Sequence, residues 1–115
     1  MRRHELVTTY HFFRWLAYEY PRLYDVAFHI PNEGKRNPQT GRMMCLKAGV
    51  PDICIAYPSG RYHGIFIEMK VKPNKCTEKQ LLMIERLQNN GYKVHVCYSL
   101  DEAMDAVKDY LKEDK

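Results

Sequence analysis

The sequence predicts a mixed α/β chain with the element order α-β-β-β-α-β-α, and three observations carry that prediction. Three stretches repeat apolar residues at steps of three and four. Four shorter ones are β-rich or alternate with a period of two, and Pro, Gly or helix-capping signals stand between them. At 115 residues the chain suits one compact domain, so residues 1–115 are read as one unit with one site.

From His4 to Tyr20, the residues Leu6, Tyr10, Phe13, Ala17 and Tyr20 form one apolar helical stripe, with Glu5 beside it and Pro21 ending it. Tyr24 to Ile30 alternates as a strand, with Val26, Phe28 and Ile30 on one face, and stops at Pro31-Asn32-Glu33-Gly34. Residues 35–49 carry Lys35, Arg36, Arg42 and Lys47 with Pro38, Gly41 and Gly49 and no acidic residue, which predicts a mobile basic loop suited to phosphates. Asp52 to Tyr57 and Tyr62 to Val71 flank Pro58-Ser59-Gly60-Arg61 and read as a hairpin.

Thr77-Glu78-Lys79-Gln80 matches a capping box opening a helix with Leu81, Ile84 and Leu87 on one side and Gly91 just past its end. Lys93 to Tyr98 alternates as the last strand. Ser99-Leu100-Asp101-Glu102 is a second capping box, and Ala103, Ala106, Val107, Tyr110 and Leu111 give the final helix a buried stripe.

The net charge is +4, yet residues 101–115 hold six acidic and three basic residues, so residues 1–100 carry +7. A basic body favours a polyanionic partner without specifying one, because Lys and Arg displace the counterions condensed on phosphates. Cys45, Cys54, Cys76 and Cys97 form no Cys-x-x-Cys pair, and two lie in apolar strands, so buried reduced thiols are expected rather than disulfides or zinc. No signal peptide and no membrane-length apolar run is visible, which predicts a cytoplasmic protein, in the bacterial host cytosol if phage-encoded.

The chemistry concentrates on the hairpin. Glu68 and Lys70 project from the same strand face, about 7 Å apart, while Ile65, Ile67 and Met69 claim the other for a core. Asp52 and Glu68 are symmetric about Gly60, so they oppose each other if the loop is odd and centred there, or if it contains a bulge. A two-residue Ser59-Gly60 turn would split them. Opposed carboxylates can grip one hard cation, Mg²⁺ or Mn²⁺, with Lys70 placed to orient a water, an arrangement suited to phosphodiester hydrolysis. The plainer alternative is a Glu68 and Lys70 ion pair on a solvated sheet face.

The run Gly49-Val50-Pro51-Asp52-Ile53, then Ile67-Glu68-Met69-Lys70, then Gln80, resembles the PD-(D/E)xK nuclease superfamily. Glu5, the Asn32-Glu33-Gly34 turn and the Gly91-Tyr92-Lys93-Val94 strand extend the resemblance over nearly the whole chain to the VRR-NUC family of virus-type replication and repair nucleases. It implies a restriction-endonuclease-like core, a mixed β-sheet flanked by helices. It also implies metal ligation by Asp52, Glu68 and the Met69 main-chain carbonyl, catalysis by Lys70, and a site completed by Gln80 and Glu5. A Mg²⁺- or Mn²⁺-dependent endonuclease acting on branched DNA, Holliday junctions especially, follows as the expectation, and similarity to stand-alone phage and bacterial members implies a homodimer. Asn32, Lys35, Arg36, Arg42 and Lys47 would hold the DNA backbone. The alternatives are a non-catalytic module that binds branched DNA and a sequence-specific restriction-type enzyme, for which 115 residues leave little surface for base readout.

Two of these residues have ordinary structural readings. Gln80, at N3 of a Thr77 capping box, can simply reach back to the backbone, and Glu5 can complement a helix dipole in its first turn. His4, His11, His63 and His95 lack ligand spacing with one another or with the cysteines, and His29 has no second histidine to support an HNH-type site.

Overall fold

A computed structural model describes residues 3–31 and 43–112. The elements are α1 (Arg3–Glu19), α2 (Pro21–Tyr24), β1 (Ala27–His29), β2 (Ile53–Ile55), β3 (Gly64–Met69), α3 (Glu78–Asn89), β4 (Tyr92–Cys97) and α4 (Leu100–Lys112). The expected order is present with one addition. Pro21 ends α1 and also opens the single-turn α2, occupying a position where its missing N–H costs nothing.

The four strands form one mixed sheet in the order β1-β2-β3-β4. The first two pairs are antiparallel and β3 and β4 run parallel, joined through α3 as a crossover unit. The β2/β3 register pairs Ile53 with Ile67 and Ile55 with Ile65. These four, with Met69, are fully or almost fully buried and pack with Phe12 and Leu16 of α1 and Ala103, Ala106, Val107 and Tyr110 of α4. That face of the sheet is the core, as the period-two pattern of β3 predicts.

The α1 stripe needs correction. Thr9, Phe12 and Leu16 turn inward, while Leu6 and Tyr10 are 55% and 61% exposed. Apolar side chains lie all round this helix, so its sequence supports more than one stripe of period 3.6, and packing selects among them. Val26 and Phe28 are likewise exposed, and Leu81 of α3 is 56% exposed. In fact α3 has no fully buried residue.

The hairpin reaches the required register by a bulge. Ser59 and Tyr62 exchange both backbone hydrogen bonds, at 3.1 and 3.0 Å, around the two-residue turn Gly60-Arg61, with Gly60 at φ 58°. Residues 56–58 separate Ile55 from Ser59, whereas only His63 and Gly64 separate Tyr62 from Ile65. One extra residue on the first arm thus shifts the ladder by one position and sets Asp52 opposite Glu68. Two bonds to α4 hold the hairpin. The Tyr110 hydroxyl donates to the Tyr57 carbonyl at 2.6 Å, and the Ser59 hydroxyl donates to the Tyr110 carbonyl at 2.9 Å.

Candidate active site

Asp52 sits one residue before β2 and is fixed at both ends. Its carbonyl accepts the Ile30 amide at 2.6 Å, which ties it to the end of β1, and its Oδ2 accepts the Met69 amide at 2.9 Å. The preceding turn depends on Gly49, whose φ of +87° favours glycine, and a Cβ there would stand 2.5 Å from the Lys79 carbonyl oxygen. The approach to Asp52 is therefore pressed against the first turn of α3.

Glu68 lies near the end of β3 on the sheet face opposite the isoleucines, and it is only 5% exposed. Its Oε2 accepts a hydrogen bond from Gln80 Nε2 at 3.1 Å and faces Lys70 Nζ at 3.7 Å. Its Oε1 is buried with no hydrogen-bond partner among the described residues. The solvated ion pair considered above is thus the wrong description, because this carboxylate is buried beside a second one.

Electrostatics mark the same place. Burial, followed by the neighbouring Asp52 carboxylate, pushes the Glu68 carboxyl up to about 7, with Lys70 acting in the opposite direction. Burial also raises Asp52, while the Met69 amide opposes that shift. Glu5, in the first turn of α1, lies close enough to raise both carboxyls. His29 lies near enough to favour ionised Asp52, and its Nε2 is another buried atom without a hydrogen-bond partner among the described residues.

Gln80 makes both kinds of contact, the helix cap and a hydrogen bond to the Glu68 carboxylate. Gln80 Oε1 accepts the Thr77 amide at 2.8 Å while its own main-chain amide donates to the Thr77 hydroxyl oxygen at 3.2 Å, completing the capping box, and Nε2 donates to Glu68. The second capping box is shifted. Glu102 accepts from Tyr98 rather than from Ser99, although its backbone is still capped by the Ser99 hydroxyl.

The side chains present suit a hard cation. Glu68 Oε1 is an orphaned buried acceptor, and Asp52 stands opposite it. No group of three His, Cys, Asp or Glu side chains close enough to hold a metal ion occurs among the described residues. Two carboxylates completed by main-chain, water and phosphate oxygens is the set that Mg²⁺ usually takes.

Of the expected DNA contacts, Asn32, Lys35, Arg36 and Arg42 lie outside the described residues, and Lys47 is exposed. Lys47 shares a groove with two cations the sequence analysis overlooked, Lys79 and Arg86. Their spacing of seven residues on one helix was the available signal. Cys54 and Cys97 are the expected buried free thiols, whereas Cys45 is exposed and Cys76 partly so.

The model of the VRR-NUC domain matches residues 14–101, a span that begins after Glu5 and contains Asp52, Glu68, Lys70 and Gln80. No functionally curated protein matches the chain. A solved structure of a VRR-NUC domain protein superposes with a TM-score of 0.82 at 27% identity, covering 95% of this chain and 88% of that one. With the fold, the paired carboxylates and a family match over most of its length, the chain belongs to the VRR-NUC family of nuclease-type domains and has a restriction-endonuclease-like core.

Proposed function

We propose that this chain is a Mg²⁺- or Mn²⁺-dependent DNA endonuclease that cuts branched substrates, four-way junctions foremost. The observation that carries the reading is Glu68, a buried carboxylate with one oxygen unsatisfied among the described residues, flanked by Asp52, Lys70 and Gln80. Burying a carboxylate beside another is costly, and functional sites are where such costs concentrate.

Asp52 and Glu68, with the Met69 main-chain carbonyl, would hold the cation, and Glu5 would contribute from α1. When bound, the cation lowers the pKa of a water and offsets the charge that builds on the phosphate. The chain's own residues do the rest. Gln80 holds the Glu68 carboxylate in one orientation, and the Met69 amide does the same for Asp52. Lys70 Nζ stands over Glu68, where an ammonium can hold the attacking water by hydrogen bonds and favour negative charge on a phosphate oxygen.

Residues 1–115 would act as one nuclease unit working as a homodimer, so that two sites meet the two strands of a junction. The exposed Leu6, Val7 and Tyr10 of α1 offer such a pair an apolar surface to share. No described helix is long and apolar enough to cross a membrane.

Labelled four-way junction, flap and linear duplex, each incubated with Mn²⁺ and with EDTA, test the reading. Junction cleavage in Mn²⁺ alone, faster than duplex cleavage, is expected. Metal-independent binding with no product from any substrate would replace the nuclease with a non-catalytic module.

A further inference from the structure

A groove of about 440 Å³ lies along α3, lined by Lys47, Ala48, Lys79, Leu82, Met83 and Arg86 and, among the described residues, by no acidic one. We propose that this groove seats the sugar–phosphate backbone of the DNA strand that enters the Glu68 site. The proposal rests on the nuclease reading for its purpose, and on the groove's own charge and position for its substance.

Position is the first argument. Lys79 immediately precedes Gln80, which touches Glu68, and the Lys79 carbonyl packs against Gly49, three residues before Asp52. The groove therefore lies on the helix that carries Gln80 and beside the segment that leads to Asp52, although neither carboxylate lines it. Lys47 reaches it from the segment that Gly49 presses onto α3, so cations from two elements converge there.

Charge and spacing are the second. Lys79 and Arg86 are seven residues apart, almost two full turns, which brings them back to nearly the same helix face about 10 Å apart along the axis. That span matches about three steps of a DNA strand at 3.4 Å each. Glu78 and Glu85 of the same helix do not line the groove. Lys47, Lys79 and Arg86 form no ion pair among the described residues, so their charge is available to a ligand.

Apolar surface is the third. Leu82 is 47% exposed between the two cations, and α3 buries no residue fully. A cationic groove with an apolar floor suits phosphates flanked by deoxyribose, and its long Lys and Arg side chains are the usual phosphate contacts. The contacts should be indifferent to sequence.

The test is the salt dependence of binding to fluorescein-labelled duplex, measured by anisotropy in EDTA. Each lost phosphate contact should lower the slope of log K against log salt by about 0.9. The Lys79→Gln/Arg86→Gln variant should therefore lose about 2 in slope and bind on the order of 50-fold more weakly near 0.1 M salt. Adding Lys47→Gln should remove about one more. In Mn²⁺ cleavage assays the loss should appear in KM.

Arg61→Gln/Lys93→Gln, at a separate groove beside β4, is the control for diffuse charge. An unchanged slope in the Lys79/Arg86 variant, or an equal fall in the control, overturns the proposal, as does wild-type protein that binds no DNA. A lowered slope in a protein that cuts nothing supports the groove and sinks the nuclease reading, so the two failures are distinguishable.

Discussion

Gln80 donates from Nε2 to Glu68 Oε2 at 3.1 Å while its Oε1 caps the Thr77 amide at 2.8 Å, so one side chain both starts α3 and orients a buried carboxylate. The cap fixes the amide's orientation, leaving the NH₂ group with one place to point. A structural device of the helix terminus thereby becomes a positioning device of the site.

Substitution can separate the two roles. Gln80→Glu keeps an acceptor for Thr77 but sets a carboxylate against Glu68, so cleavage should fall at least 100-fold and metal-free stability should fall as pH rises and both carboxyls ionise. Gln80→Ala loses both, and should also lose about 1 kcal/mol of stability with the cap. Paired thermal melts and cleavage rates check this; equal activity in Gln80→Glu and wild type would show that the contact with Glu68 has no catalytic consequence.

The raised Glu68 carboxyl makes metal-free stability depend on pH. Between about 4.5 and about 7 the folded chain keeps a proton on Glu68 that the unfolded chain has released. Its stabilising contribution is therefore complete below that window and lost as pH rises through it. A shift from 4.5 to about 7 corresponds to on the order of 3 kcal/mol. Urea unfolding in EDTA should show wild type losing stability from pH 5 to pH 8 relative to Glu68→Gln, which should be the more stable at pH 8. The reverse trend would contradict the burial argument. Metal affinity should rise with pH over the same window, because ligation requires the carboxylate.

Gly49→Ala should act through the backbone. A Cβ at φ +87°, 2.5 Å from the Lys79 carbonyl oxygen, forces the Pro51-Asp52 approach away from α3. A loss of about 2 kcal/mol or more is expected, with cleavage reduced beyond what instability explains. Denaturation midpoints and rates measured well below the melting temperature separate the two effects.

Tyr110→Phe tests the fastening of the hairpin to α4. The variant deletes the donor of a 2.6 Å bond to the Tyr57 carbonyl and should cost about 1 kcal/mol, a few degrees in melting temperature. Catalysis should be nearly unaffected below that temperature, since the bond lies at the far end of the hairpin from Glu68.

Much of this is legible in the sequence itself. Ile65, Ile67 and Met69 alternate with Phe66 and Glu68, so the buried face of β3 could be read directly, and symmetry about Gly60 identified the register that would bring Asp52 and Glu68 together. How the register is reached was less legible, because a turn at Gly60-Arg61 with an extra residue at 56–58 gives the same ladder as an odd loop. The inward stripe of α1 is not fixed by its sequence, because its aromatic residues permit several stripes. The Lys79 and Arg86 groove needed the fold, since only the packing of Gly49 on Lys79 brings Lys47 beside them.

The central claim is that Asp52, Glu68 and Lys70 make this chain a metal-dependent nuclease, and single-turnover cleavage of a labelled four-way junction tests it most directly. With Mn²⁺, wild type should give phosphodiester products, whereas Glu68→Ala and Lys70→Met should give at most a thousandth of that rate while binding the junction within a few-fold of wild type. Undiminished cleavage by either variant, or cleavage by wild type in EDTA, would contradict it.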